Sequence, residues 1–507
     1  MGRGGAARGA GRAGEGVRCG DGTRVARTRG GPAATIERRE SLRCNMITWR
    51  NRSPGDLSIE LPEVRATPVA PVVEGASAAF RGWARTPLAE RGALLRRCQA
   101  AIEAEKQSLA EGIALETGKP LREAVGEVGA VVAKFELTIA DAERFLAEQR
   151  PQNAHPAVVR HRPRGVAAVV GPFNFPIHLP HGQIVAYLLA GNPVVFKPSP
   201  LAAVVGARYA ELMAAELPAG VFDLVQGGGG EGQALCAHPA VRSVGFTGSV
   251  PVGKALATSL AADLSKDVAL ELGGKNAAIV CGDADVEKAA AACAEAACLT
   301  AGQRCNATSR VIVDASVAAE FSAAFAKAIE AFAPGDPLDE RTTLGPLVSA
   351  AAVDRYAKAI ALRDGEWLVP GAVEPQVNGK RGHYVRPAVV RLDGAAAGRS
   401  PLFTDEVFAP VVAVVASAGV DDAVRLHDLT PYGLTASIFT RSRATFDRVA
   451  ADLHVGNVYA NLPTTFSPST LPFGGLGDSG NRHPGGRGFV RFAADEQVVQ
   501  EATGTLE

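Results

Sequence analysis

Residues 166–176 read Val166-Ala167-Ala168-Val169-Val170-Gly171-Pro172-Phe173-Asn174-Phe175-Pro176, a short apolar run that stops at a Gly/Pro-rich loop. The same rhythm recurs downstream. A helical stretch around Ile184–Ala190 leads to a second run, Pro193–Phe196, and an Ala-rich helix from Leu201 to Glu216 follows. Pro218-Ala219-Gly220 then breaks the chain before Val221–Val225, Val241–Phe246 comes next, and Val268–Leu272 is the fifth run. Short runs of buried type alternating with helices predict βα units and a parallel sheet covered on both faces. Such sheets bind ligands at the carboxyl ends of their strands.

Past Glu271-Leu272-Gly273-Gly274 the alternation restarts with Ala277–Cys281, a helix over Val286–Leu299, the loop Thr300–Asn306, the run Arg310–Val313 and a helix over Val317–Phe332. A second α/β domain is therefore expected from residue 271. Upstream, Ala76–Trp83, Ala89–Ala104 and Leu121–Ala147 carry apolar residues three and four apart and predict helices, with Thr117-Gly118-Lys119-Pro120 as a break. Two strand-like segments, Ala157–Arg162 and Glu496–Val499, fit neither domain and are expected to leave the globule and pair with another subunit. The expected division is 46–147 with 164–270, then 271–480, with 148–163 and 485–503 forming an extension.

Residues 1–45 differ from everything after them. They hold ten Arg, no Lys, eleven Gly and four acids, without apolar periodicity. No hydrophobic region of the secretory type follows, and the glycines spoil the amphipathic helix of a mitochondrial transit peptide. The segment reads as a disordered tail, or as an upstream extension of a reading frame opening at Met46.

The 507 residues carry 53 basic and 53 acidic side chains, 21% charged and 47% hydrophobic. That balance fits a folded, two- or three-domain protein and removes the electrostatic basis for nucleic-acid or anionic-membrane binding. Eight cysteines without a CxxC pair suggest free thiols in a reducing, cytoplasmic compartment. The nine histidines show no ligand spacing, so no metal is expected.

A few residues could carry chemistry. Cys305 lies in a loop beside Arg304, and a neighbouring cation lowers a thiol's pKa; by residue alone an incidental loop cysteine fits as well. Cys293 and Cys298 read as helix packing. Glu271 ends a strand where ligands bind, and burial would raise its pKa toward that of a useful base, although a cap or ion pair is equally consistent. Asn174, between prolines, could hold its amide rigidly as an oxyanion donor, or simply occupy a turn. Phe246-Thr247-Gly248-Ser249 with Gly253 crosses from a strand into a helix, where free N–H groups receive phosphate. Lys197 ends the second strand within reach of a ribose or phosphate. The tetraglycine 227–230 reads as a loop.

Together, Gly171–Pro176, Lys197-Pro198-Ser199, Phe246–Ser249, Glu271–Lys275 and Gly302-Gln303-Arg304-Cys305 resemble the NAD(P)-dependent aldehyde dehydrogenase superfamily. Gly335–Leu338, Asp405–Pro410 and Pro472–Gly475 are similar to its later motifs, so the likeness spans roughly residues 60–500. The resemblance implies a Rossmann-like cofactor domain, an α/β catalytic domain and a strand extension joining homodimers or homotetramers. It implies Cys305 as nucleophile, Asn174 and the Cys305 N–H as oxyanion donors, and Glu271 as the base that hydrolyses a thioester. Lys197, Ser199, Phe246, Gly248, Ser249, Gly253, Leu272, Gly273, Glu406 and Phe408 would then bind the dinucleotide, and the other partner would be a small aldehyde.

Within the superfamily, Arg160–Gly165, Asn174–Pro180 and Ser479–Pro484 look like the branch acting on N-succinylglutamate 5-semialdehyde in arginine catabolism, although Lys275 stands where that branch has Asn. Another aldehyde or semialdehyde is the nearest alternative; a CoA-acylating enzyme, which needs no base such as Glu271, and a non-catalytic binding protein stand further off. NAD-preferring members carry Glu three residues after the lysine, but this chain has Pro200. That exchange removes both a ribose ligand and the repulsion against a 2′-phosphate, so NAD use with tolerance of NADP is expected.

Overall fold

The computed structural model describes residues 47–502, so the expectation for the first 45 lies outside the described residues. Five parallel strands form the first sheet: β1 (Val166–Val170), β2 (Val194–Lys197), β3 (Phe222–Leu224), β4 (Val241–Thr247) and β5 (Asp267–Glu271). Their order is β5-β4-β1-β2-β3. The chain runs outward from β1 through β2 to β3, then returns to the other side of β1. This reversal opens a crevice at the carboxyl ends of β1 and β4. β1 and β2 are buried almost throughout, which is why their text reads as apolar runs up to the closing Lys197.

The second sheet has seven strands: β6 (Asn276–Val280), β7 (Thr308–Asp314), β8 (Glu366–Val369), β9 (Ala388–Leu392), β10 (Val411–Ser417), β11 (Thr435–Phe439) and β12 (Asn457–Ala460). They are ordered β8-β9-β10-β7-β6-β11-β12, with the β8–β9 pair antiparallel and the remaining pairs parallel. Only Leu272-Gly273-Gly274-Lys275 separates the last residue of β5 from the first of β6. That short crossing brings the carboxyl edge of one sheet to the amino edge of the other.

The helix Leu121–Phe145 buries Leu121, Ala124, Val128, Val131, Phe135, Ile139 and Ala142, the three- and four-residue spacing legible in the sequence. The same buried face carries Glu127, Lys134 and Asp141. Charged residues on a core face require partners or a task. Upstream the structure has one more helix than the spacing predicts, Lys106–Thr117, closed by Gly118 at φ 79°. The predicted helix around Ile184–Ala190 starts earlier, spanning His178–Leu189, and Leu272 lies just outside the fifth strand. The segment expected to be helical from Leu201 opens as a 3₁₀ turn over Pro200–Ala202, capped by the Ser199 hydroxyl, before the α-helix Ala203–Ala215.

The two unplaced segments pair with each other. Ala157–Pro163 runs antiparallel to Ala494–Gln500 in continuous register, and Val498 is 64% exposed. Arg164 ties this ribbon down through Asp267 and Asp495, both at 2.7 Å. No helix among the described residues is long and apolar enough to cross a membrane.

Candidate active site

A cavity of about 900 Å³ opens at the crevice between β1 and β4. Asn174, Glu271 and Cys305 line it together, although they lie on three separate segments of the chain. Lys197, Ser199, Phe246, Gly248, Ser249, Leu272, Gly273, Glu406 and Phe408, the residues expected to hold a dinucleotide, line it as well. Gly253 does not. It lies in the helix Val250–Leu260, and a Cβ there would come within 2.4 Å of the Leu272 side chain. Its smallness lets that helix approach the cavity wall, so its contribution is packing rather than contact.

The Cys305 loop is held from several sides. Thr300, Ala301 and Gly302 have φ of 54°, 53° and 69°, a left-handed run that two non-glycine residues adopt only under restraint. Glu123 supplies much of that restraint, accepting from the Thr300 hydroxyl at 2.8 Å and from Arg304 at 2.8 Å. Gln303 accepts from Val348 N–H at 3.0 Å and donates to the Thr300 carbonyl at 3.1 Å. Asn174 donates its amide to the Gln303 carbonyl at 2.9 Å, which turns the carboxamide toward the cysteine loop. On the far side Asn276 donates to the Cys305 carbonyl at 2.7 Å. Gly274 allows this approach, because a Cβ there would stand 2.3 Å from the Cys305 carbonyl oxygen.

The electrostatics correct one expectation. Arg304 favours the Cys305 thiolate, but burial and the carboxylates Glu271 and Glu406 outweigh it and push the thiol well above its usual range. Arg304 is turned away toward Glu123 and the Phe175 ring, so much of its charge is already matched. Glu271 follows expectation: burial pushes its carboxyl up to about 8, with Lys134 pulling the other way. Both of its oxygens lack a hydrogen-bond partner. Glu406 accepts from Gly274 N–H at 3.0 Å, yet burial still raises it to about 7. Lys197 donates to the Pro198 carbonyl at 3.1 Å, and burial lowers it to about 8.

Sequence reasoning missed Gly228 and Gly229 of the tetraglycine, which line the cavity at the start of the helix Gly229–Ala237. It also missed Arg355 and Tyr432, whose surroundings carry no motif. The branch-like text does structural work: Ser479 O accepts from Leu272 N–H at 3.0 Å, and Asn481 exchanges bonds with Leu270 at 2.8 and 2.9 Å, clamping the end of β5. Cys293 and Cys298 are buried in the core, as read.

Residues 40–499 match the model of the aldehyde dehydrogenase family. N-succinylglutamate 5-semialdehyde dehydrogenase of Salmonella schwarzengrund is 37% identical over 86% of this chain and 89% of its own length. N-succinylglutamate 5-semialdehyde dehydrogenase 1 of Caulobacter vibrioides is 38% identical, covering 83% and 88%. Among solved structures, PnpE in complex with nicotinamide adenine dinucleotide superposes with a TM-score of 0.84 at 31% identity, over 91% of this chain and 95% of that one. With this cavity at the switch point of its first sheet, and with the family model matched along nearly its whole length, the chain belongs to the aldehyde dehydrogenase family of NAD(P)-dependent oxidoreductases.

Proposed function

We propose that the protein oxidises N-succinylglutamate 5-semialdehyde, or a closely similar semialdehyde, to the carboxylate through a covalent thioester on Cys305. The observation that carries this reading is the convergence of Cys305, Glu271 and Asn174 on one cavity that also contains the expected cofactor residues. The names of the relatives support the substrate.

The cavity fits a dinucleotide. Lys197 is buried on its wall, and Ser249 caps the helix Val250–Leu260 without spending its hydroxyl on a cap bond. The two would hold ribose and pyrophosphate, while Glu406 and Phe408 would hold the nicotinamide half. When bound, the dinucleotide supplies the hydride acceptor and a positive charge. Pro200 lines the same cavity and presents no carboxylate, which supports acceptance of NADP beside NAD.

The residues divide the reaction into two easier steps. The Cys305 thiol releases its proton to water as its sulfur attacks the aldehyde carbon, and the oxyanion of the thiohemiacetal is received by Asn174 Nδ2 and the Cys305 N–H. Loss of hydride leaves a thioester. Glu271 then takes a proton from water as the water oxygen attacks the thioester, and the Cys305 thiolate leaves with release of the carboxylate. Residues 46–147 with 164–270 form the cofactor domain in this reading, and 271–480 the catalytic domain. The ribbon of Ala157–Pro163 and Ala494–Gln500, the core of the expected extension 148–163 and 485–503, joins subunits.

The test is reduced-cofactor absorbance at 340 nm. A kcat/KM at least about 100-fold higher for the succinylated semialdehyde than for aliphatic aldehydes is expected, near 2.7 kcal/mol of transition-state preference. Comparable rates would reject this substrate. Cys305→Ala should abolish turnover while leaving NAD binding intact, and turnover surviving in that variant would reject the thioester.

A further inference from the structure

The helix Leu121–Phe145 sends one buried cation into the core that the reaction described above does not use. Lys134 is 3% exposed and lies on the same buried face as Glu127, seven residues away. Its path crosses the neighbouring helix His178–Leu189 at Gly182. A Cβ on Gly182 would stand 2.7 Å from Lys134 Cε and 2.8 Å from Nζ, so any larger residue would occupy the place of the ammonium. Burial brings this lysine down to about 8, and Glu271 is the carboxylate that opposes the fall. Gln183, next to Gly182, donates to the Thr247 hydroxyl at 3.2 Å, and Thr247 pairs with Glu271 in the sheet, so the gap lies beside the base; Lys134 is in turn the charge that offsets the burial of Glu271.

The surroundings leave few rivals. His178 and His181, on the helix that Lys134 crosses, are held neutral by burial and by Lys134 itself. Cys305, on the loop before β7, has its thiol pushed up by burial and by Glu271, so it offers Glu271 no positive charge. Lys119 and Glu127 are bonded to each other, so neither competes for Lys134 or Glu271. Glu271 meanwhile keeps both oxygens unpartnered. Burial favours the protonated acid, which cannot accept a proton from water, and a cation nearby shifts the balance back toward the carboxylate.

We propose that Lys134 is the positioning residue of the base, reaching through the gap at Gly182 to shift Glu271 toward its ionised form for hydrolysis of the thioester. This rests on the reading of Glu271 as the base. The lysine acts through the carboxylate and takes no part in thioester formation.

The test uses the full-length enzyme with NAD and aldehyde, and separates a pre-steady-state burst of NADH (thioester formation) from steady turnover (hydrolysis). Lys134→Met should keep the burst and move the acid limb of the steady-state rate up by at least about one pH unit, a loss of about tenfold at pH 7. Lys134→Arg keeps the charge and should leave the limb in place. Gly182→Ala, with the lysine intact but its gap filled, should move the limb the same way by less, and it carries the test if Lys134→Met does not fold. An unmoved limb in Lys134→Met or Gly182→Ala, or a burst lost in proportion to turnover, overturns the inference. Glu271→Gln separates the two ideas. If that variant turns over normally, the base reading itself falls; if it stalls after the burst while the lysine variant keeps its limb, only the role of Lys134 falls.

Discussion

Two buried lysine–glutamate pairs lie along one helix face, and they are finished differently. Lys119 and Glu127 are bonded directly, both side chains fully buried. The other carboxylate oxygen of Glu127 accepts from the N–H groups of Ile177 and His178 at 3.3 and 3.2 Å, and the Lys119 ammonium sits 3.7 Å above the Phe175 ring. Every strong group in that pair is matched, and what it holds is the Asn174-Phe175-Pro176 turn. Glu271, opposite Lys134, has no hydrogen bond to either oxygen. On the function proposed above, the difference separates scaffold from reagent. A carboxylate with its lone pairs taken anchors backbone, whereas one left open beside a cation can receive a proton.

The comparison can be broken most sharply at its open member. Glu271→Gln should lower steady turnover by about 10²- to 10⁴-fold while sparing the NADH burst. Its thermal midpoint should hold or rise, because an unpartnered buried carboxyl is removed. A large fall in melting temperature would make Glu271 a scaffold group like Glu127. Glu127→Ala is the reverse case. It strands Lys119 and frees two backbone donors, and should cost about 3–5 kcal/mol of folding stability in denaturant titration. Unchanged stability there would mean that the closed pair anchors nothing.

The pH profile sharpens the contrast without a substitution. Because burial raises Glu271 to about 8, the base is ionised only above that pH, so hydrolysis should fall about tenfold per pH unit below it and level off above it. The burst, which does not need this base, should not follow that limb. The smallest effect is expected outside both pairs. Pro200→Glu restores a carboxylate to the cavity wall and should reduce kcat/KM with NADP by about tenfold, leaving the acid limb where it was. A wild-type preference for NAD above about 1000-fold, roughly 4 kcal/mol, would already contradict the tolerance assigned to Pro200.

Much of this is legible in the sequence. The apolar runs at 166–170 and 194–196 lie in strands with both faces covered, where polar side chains are costly, so they stand out in any reading. Asn174, Lys197, Glu271 and Cys305 were legible because each sits where an element ends, marked by Gly or Pro. Lys134 and Gly182 were not. They lie inside regular helices, where a lysine looks like a solvated position and a glycine like a weak one, and only the crossing of the two helices gives either a purpose. Arg304 misled for a related reason. Its neighbour in sequence is Cys305, but its partner is Glu123, nearly two hundred residues away.

By itself the sequence determined the alternating α/β architecture, the family and the residue types that can carry out a cysteine-based oxidation. Those depend on local periodicity and on short motifs at strand ends, and both survive in one dimension. The tertiary structure decided which charges meet. It turned Arg304 away from the thiol, buried Glu271 without a hydrogen bond, made Gly253 a packing residue and led Lys134 through a gap in a second helix. Desolvation and Coulomb interactions depend on distance through the folded interior, and no spacing along the chain encodes them.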